Sequence, residues 1–230
     1  MKNKKILIVA AHPDDEILGC GGLIKKFSKT NQIKILIAGE GITSRENTRS
    51  IKKNKDNLLN LKKDAIKANR KLGVNDLLFL DFPDNRFDSI NVVDIAKSVE
   101  KVFNQFKPSI IFTHDCNDLN QDHTLLHRAV LIAARPKANF FVKKIYTFEV
   151  MSSTGWNDNI GSNVFTPNYF VDISNEIHSK LNSLKLYKSE LKKWPNARSL
   201  IGVKSLAMFR GVQVGLKYAE AFKLLRGILN

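Results

Sequence analysis

The sequence predicts an α/β fold of Rossmann-like type: a doubly wound, mostly parallel sheet with helices on both faces. Short apolar runs rich in Ile, Val, Leu and Phe recur along the first two thirds of the chain, separated by longer stretches whose apolar residues return at helical spacing. Such β-α-β alternation requires right-handed crossovers, which place helices on both faces of the sheet. Four of the 5 histidines also fall just past the ends of two apolar runs or at the start of the helix that follows. In an open sheet that is where ligand sites form, where the strand order reverses, and strands one and four commonly flank that point.

The elements follow in order. Lys4 to Ala11 is a nearly continuous apolar run, as expected of a strand buried on both faces. It stops at His12-Pro13, and Asp14 to Lys29 carries acids first and lysines last, matching a helix dipole. Ile33 to Ala38 reads as the second strand; Leu58, Leu61, Ala65, Ala68 and Leu72 then mark a helix that Gly73 closes. Leu77 to Phe82 is the third strand, Val92 to Phe106 an amphipathic helix, Ser109 to His114 the fourth strand, and Asp122 to Ala134 its helix. Ile145 to Val150 follows as a fifth strand. Met151 to Thr166, rich in Ser, Gly and Asn, reads as a long loop before a strand at Tyr169 to Ile173 and a helix from about Asn175 to Leu191.

At 230 residues and 43% hydrophobic content the chain is long enough for one substantial core, and residues 1–230 are read as one domain without repeats or linkers. Only Cys20 and Cys116 are present, which gives no disulfide framework and points to a reducing cytoplasm. No apolar run is long enough to span a bilayer, and the start of the chain does not read as a signal peptide. A net charge of +15 would suit an anionic partner, but most lysines fall on helix-like stretches, where a solvated face explains them.

The chemistry concentrates in two clusters. In His12-Pro13-Asp14-Asp15-Glu16, a chain turning from strand into helix points His12 and Asp15 into one space, and imidazole with carboxylate suits zinc. Asp14, beside these ligands but free of the metal, is the natural base for a metal-activated water. The second cluster, Thr113 to His123, offers His123 as third ligand at the start of its helix; Asp122 either caps that helix or orients an imidazole. His123 with His127, four residues on, is an alternative ligand pair. Read blandly, the first cluster is a helix start and each histidine a satisfied structural one, but two complementary clusters at neighbouring strand ends weigh against that. Cys116 is read as a loop residue, and Gly19-Cys20-Gly21-Gly22 as a surface that lets a helix approach the sheet.

These residues resemble the PIG-L (LmbE-like) zinc de-N-acetylases. The first motif, Asn120-Gln121-Asp122-His123, the Gly39 to Arg45 segment and the Asp81 to Asp88 segment all look like that family's. The resemblance implies zinc held by His12, Asp15 and His123, with Asp14 as general base. It also exposes a departure: many members carry a histidine where Asn120 stands. An amide can donate to an oxyanion but cannot act as an acid, which leaves the acid to protonated Asp14 or to His114. Arg45 and Arg86, in loops after strands, are read as substrate-binding forks, and Glu149, near the fifth strand's end, as a weaker candidate.

The expected function is zinc-dependent removal of acetyl from an N-acetylglucosamine-type conjugate, phosphorylated or lipid-linked conjugates included, with no nucleic-acid partner. A homo-oligomer is compatible with the sequence. Rival readings are hydrolysis of another amide, such as a formamide or thiol-conjugate amide, and a non-catalytic basic module for anionic partners.

Overall fold

The computed structural model describes residues 2–136, 141–158, 161 and 164–229. The alternation reads through into β1 (Lys5–Ala10), α1 (Asp15–Phe27), β2 (Gln32–Gly39), α2 (Lys55–Leu72), β3 (Leu77–Phe82), α3 (Val92–Phe106), β4 (Ile110–His114), α4 (Gln121–Ala133) and β5 (Lys144–Phe148). There follow β6 (Tyr169–Asp172), α5 (Ile177–Leu184), α6 (Leu200–Val212) and β7 (Ala219–Gly227).

The seven strands form one sheet in the order β3-β2-β1-β4-β5-β7-β6. Strands β1 to β5 are mutually parallel, and β7 runs antiparallel to both β5 and β6. The order reverses between β1 and β4, which lie side by side with Ile6 opposite Ile110. Alternating side chains explain the continuous apolar run of β1. Ile6 and Ile8 join the core under α1 and α2, Leu7 and Val9 join the core under α3 and α4, and all four are 0% exposed. Each such burial contributes about 1.5–3 kcal/mol of hydrophobic stabilisation.

Helix α1 packs unusually close to the sheet. A Cβ on Gly19 would stand 2.3 Å from the Phe148 ring and one on Gly22 2.5 Å from Ile173, so hydrogen is the only side chain that fits either contact. Cys20 between them is fully buried, in keeping with the packing role its neighbours suggested.

Two differences from the sequence reading lie in the last third. The helix expected to reach Leu191 ends at Leu184, because the Ser183 and Leu184 carbonyls accept from Leu186 and Tyr187, three residues on, and the chain tightens into turns. Those turns bring Tyr187 and Glu190 back to the main body. The other is α6 and β7, neither of which the sequence reading assigned; β7 fills the gap between β5 and β6. Among the described residues no helix is long and apolar enough to cross a membrane.

Candidate metal centre and active site

The turn after β1 is strained. Asp14 sits at φ 113°, a region that residues with a Cβ rarely adopt and that costs of order 1–3 kcal/mol. The surroundings hold it there: its N–H donates to Glu16 Oε2, and its carbonyl accepts from Ile17 and Leu18. The Asp15 N–H donates to the His12 carbonyl, and the His12 N–H returns to Asp15 Oδ2 at 3.0 Å. This loop of bonds sets His12, Asp14 and Asp15 at the carboxyl edge of the sheet.

From β4 and α4 comes the other half. Asn120 caps α4, its Oδ1 accepting from the Asp122 N–H, and His123 lies in the first turn. Asp122 is thereby free of the capping role and turns inward, its Oδ2 3.0 Å from His12 Nε2 and its Oδ1 accepting from the Phe87 N–H. Thus His12, rather than His123, is the imidazole that Asp122 orients. His123 has a carboxylate of its own: Asp118 Oδ2 lies 3.1 Å from its Nδ1, while Asp15 Oδ2 lies 3.1 Å from its Nε2. Thr154 and Ser153 donate to Asp118 and fix it.

Among the described residues, three groups of side chains bring their ligand atoms within 4.8 Å of one another: His12 with Asp15 and His123, His114 with Asp118 and His123, and His12 with Asp84 and Asp122. They differ in what else those atoms do. In the second, His114 Nε2 already accepts from the Ala11 N–H at 2.8 Å. In the third, Asp84 Oδ2 accepts from both the backbone and hydroxyl of Ser44. In the first, Asp15 Oδ1 is buried with no hydrogen-bond partner, and His123 Nε2 faces Asp15 Oδ2, itself a member of the group; His114 Nδ1 of the second group is likewise buried without a partner. Both of its imidazoles also keep their second nitrogen on a carboxylate, an arrangement that fixes tautomer and ring direction at metal sites.

Charge follows the geometry. Burial pulls the His12 pKa down, but hydrogen bonds to Asp122 and Asp15 outweigh it and raise it to about 10. His123 is likewise opposed by burial and lifted to about 9 by the Asp15 charge and the Asp118 bond. Asp15, despite burial, is held well below the usual range by the His123 charge and the His12 bond. Asp14 goes the other way: burial lifts it well above the usual range against the pull of the Arg198 guanidinium.

A cleft of about 120 Å³ opens over this cluster, lined among others by His12, Asp14, Ser44, Arg45, Asp84, Asn120, Glu190 and Arg198. Arg198 Nη1 stands 3.5 Å from Asp14 Oδ2 and 3.5 Å from Glu190 Oε2. Arg45 is 46% exposed and binds both Glu190 oxygens at 2.6 Å. Asn120 donates to Asn85 Oδ1 at 2.9 Å.

Other sequence candidates lie elsewhere. Arg86 is exposed and absent from the cleft wall. Glu149 forms a fork with Arg210, both bonds 2.7 Å, and lines a separate small cavity beside α1 and α6. His114 is 0% exposed and lies under His123, away from the cleft wall. His127 turns its Nδ1 to the His114 carbonyl at 2.8 Å and joins none of the three ligand groups. Cys116 is exposed and joins none of them either. Asp118, Asp84, Glu190 and Arg198 were given no role from the sequence, though Asp118 lies inside the second cluster and Asp84 inside the Asp81 to Asp88 segment.

The family model PIG-L, GlcNAc-PI de-N-acetylase, matches residues 7–134. The Escherichia coli uncharacterized deacetylase YaiS is 27% identical over 195 residues, 82% of this chain and 92% of that one. Among solved structures, N,N'-diacetylchitobiose deacetylase from Pyrococcus horikoshii superposes with a TM-score of 0.76 at 22% identity, covering 97% of this chain and 84% of that one. The 4-carboxy-2-hydroxymuconate hydratase GalB from Pseudomonas putida also has a TM-score of 0.76, at 19% identity, covering 99% and 98%. Since a deacetylase and a hydratase share the architecture, those two likenesses speak for fold alone. The match over residues 7–134, more than half of the sequence, is what assigns membership: the chain belongs to the PIG-L family.

Proposed function

We propose that His12, Asp15 and His123 hold one zinc ion, and that the chain hydrolyses the N-acetyl amide of an N-acetylglucosamine-type sugar conjugate to acetate and a free amine. The observation that carries this reading is the meeting of two imidazoles and a carboxylate, with His123 Nε2 facing Asp15 Oδ2 and Asp15 Oδ1 buried without a partner, directly beside Asp14. Two nitrogens and one oxygen fit a catalytic zinc, which takes three protein ligands and leaves a position for water. When bound, such a metal acidifies its water and polarises a carbonyl.

The remaining work falls to the chain. Asp14 takes the proton of the attacking water; its Oδ1 is buried without a partner. As the water oxygen bonds to the amide carbon and the carbon–nitrogen bond breaks, the same carboxyl returns that proton to the departing amine. Burial, which raises its pKa, suits it to hold the proton between these steps. Asn120, on the cleft wall, has a second amide hydrogen beyond the one given to Asn85 and donates it to the oxyanion. In this reading His114 is a positioning residue behind His123. Arg45 and Arg198 face the sugar from the cleft rim, and Arg86 and Glu149 have no part.

Residues 1–230 act as one domain in this proposal, because β7 interleaves between β5 and β6 in a single sheet. A cytoplasmic home is supported by both cysteines being free. The experiment measures bound metal and acetate release from N-acetylglucosamine conjugates for wild type, Asp14→Asn and His123→Ala. Wild type is expected to carry about one zinc per chain. Asp14→Asn should keep the metal and lose roughly 10²–10⁴-fold in rate, and His123→Ala should lose both. Acetate release by a metal-stripped wild type would sink the reading.

A further inference from the structure

Two buried polar side chains behind the cleft have no part in the steps above. Glu16 and Tyr187 are both 0% exposed, and the Tyr187 hydroxyl donates to Glu16 Oε1 across 171 positions of chain. Asn69 of α2 donates to the same oxygen at 2.7 Å, so two donors from two separate elements fix one end of the carboxyl. The other end serves the backbone: Glu16 Oε2 accepts the Asp14 N–H at 3.1 Å. A carboxyl is costly to bury unless its oxygens are satisfied, and each oxygen of Glu16 is.

The residue so held is the strained one, Asp14 at φ 113°. Tyr187 lies in the turn after α5, where its carbonyl accepts from the Glu190 N–H at 3.1 Å. Glu190 in turn lies beside Arg198, and Arg198 beside the Asp14 carboxyl, each at 3.5 Å. One short turn thus reaches Asp14 twice, at its backbone through Tyr187 and Glu16 and at its carboxyl through Glu190 and Arg198. Burial and the Glu16 charge push the Tyr187 hydroxyl well above the usual phenol range, so it stays a donor.

We infer that Tyr187 is a positioning residue for the base: its hydroxyl locks Glu16 in the rotamer that holds the Asp14 backbone in its left-handed conformation, and so aims the Asp14 carboxyl into the cleft. The inference rests on the reading of Asp14 as base of the deacetylation. Without the phenolic donor Glu16 keeps a single side-chain anchor, Asn69, and its grip on the Asp14 N–H loosens. Asp14 then relaxes toward ordinary backbone angles and its carboxyl turns from the cleft. A displacement of about 1 Å in a reacting group is enough to cost about 10²-fold in rate.

Tyr187→Phe removes the hydroxyl and keeps the ring. Two quantities are read: exchange of the Asp14 amide hydrogen by NMR, and kcat and KM for acetate release from an N-acetylglucosamine conjugate. Exchange at Asp14 should quicken roughly tenfold and kcat fall about 10–100-fold, with KM and bound zinc unchanged. Glu16→Ala should do the same, and adding Tyr187→Phe to it should change nothing further, because the hydroxyl acts through Glu16. Glu16→Gln, which keeps an oxygen for the Asp14 N–H, should retain more of the rate than Glu16→Ala. Ser183→Ala is the control: that hydroxyl ties α5 to the Ala68 carbonyl at 2.7 Å, with no line to Asp14, and both readings should stay at their wild-type values. An unmoved Asp14 exchange, an unmoved kcat, additive losses in the double variant, or an equal loss in Ser183→Ala overturns the inference. Faster exchange in Tyr187→Phe, in a chain that releases no acetate even as wild type, supports the hold on Asp14 and removes the deacetylase reading instead.

Discussion

The imidazole of His114 lies against that of His123 with ring centroids 3.7 Å apart and planes 24° from parallel, while its Nε2 accepts the Ala11 N–H. Each ring thus serves the other half of the centre: His114 ties the end of β1 to β4 and gives His123 a flat wall. Burial and the neighbouring His123 both hold the His114 pKa well below that of a free imidazole, so it stays neutral. Replacing it with alanine should strand the Ala11 N–H and cost about 1–3 kcal/mol, together with weaker metal binding. Thermal melts and zinc titration of His114→Ala check this. A stable, fully metallated variant with a collapsed kcat would instead restore His114 to direct chemistry.

Asp118 should matter to the metal without touching it. It lies 3.1 Å from His123 Nδ1, and loss of such an orienting carboxylate costs about 10–100-fold in metal affinity. Asp118→Ala, measured by competition with a chelator, is expected to show that drop with folding largely kept. Unchanged affinity would falsify the orienting role.

Metal uptake should release protons. Without metal, His12 and His123 have pKa values of about 10 and about 9, both raised. Below pH 6.5, the ordinary histidine value, both are charged in folded and unfolded chains alike, and their pairing with Asp15, Asp118 and Asp122 stabilises the fold fully. As pH rises through about 9 and then about 10, that contribution is lost from the metal-free protein. At pH 7 both imidazoles hold protons that a metal must displace, so zinc binding should liberate about two protons and tighten as pH rises. Calorimetry in buffers of differing ionisation heat reads the count directly; zero protons would contradict these ligands.

Arg198 should set the acid limb of activity. Its guanidinium opposes the rise that burial imposes on the Asp14 carboxyl, and a base must be ionised to work. Activity therefore falls as pH drops through the Asp14 pKa, and Arg198→Gln should move that limb to higher pH while Arg198→Lys restores part of the shift. A pH profile of kcat/KM decides it, and an unmoved limb in Arg198→Gln would show that Asp14 does not feel this charge.

The two halves of the molecule differ in how much their sequence discloses. Strands β1 to β5 are legible because each is a run of apolar residues buried on both faces, and the helices between them carry a clear inner stripe. The same regularity brings His12, Asp15 and His123 to one switch point, so the proposed ligands can be read from strand ends. In β7 the pattern fails: Glu220 is an acid inside a strand, only 4% exposed because Lys180 and the Gly22 and Leu23 amides satisfy it. Glu190 and Arg198 are invisible for a related reason. Their places depend on turns after α5 and on partners such as Asp14, 184 residues away in the chain for Arg198, and no local periodicity encodes that. The hydrogen bond that commits Asp122 to His12 spans 110 positions.

The interior place of β7 also orders events during synthesis. β6 pairs with β7 alone among the described strands, so it has no edge to join until β7 leaves the ribosome. The five parallel strands, by contrast, are complete once Phe148 has emerged. At about 5–20 residues per second, Arg198 follows Phe148 after several seconds of synthesis. The residues of the ligand cluster are thus synthesised well before the segment that brings Glu190 and Arg198 to the cleft wall above them.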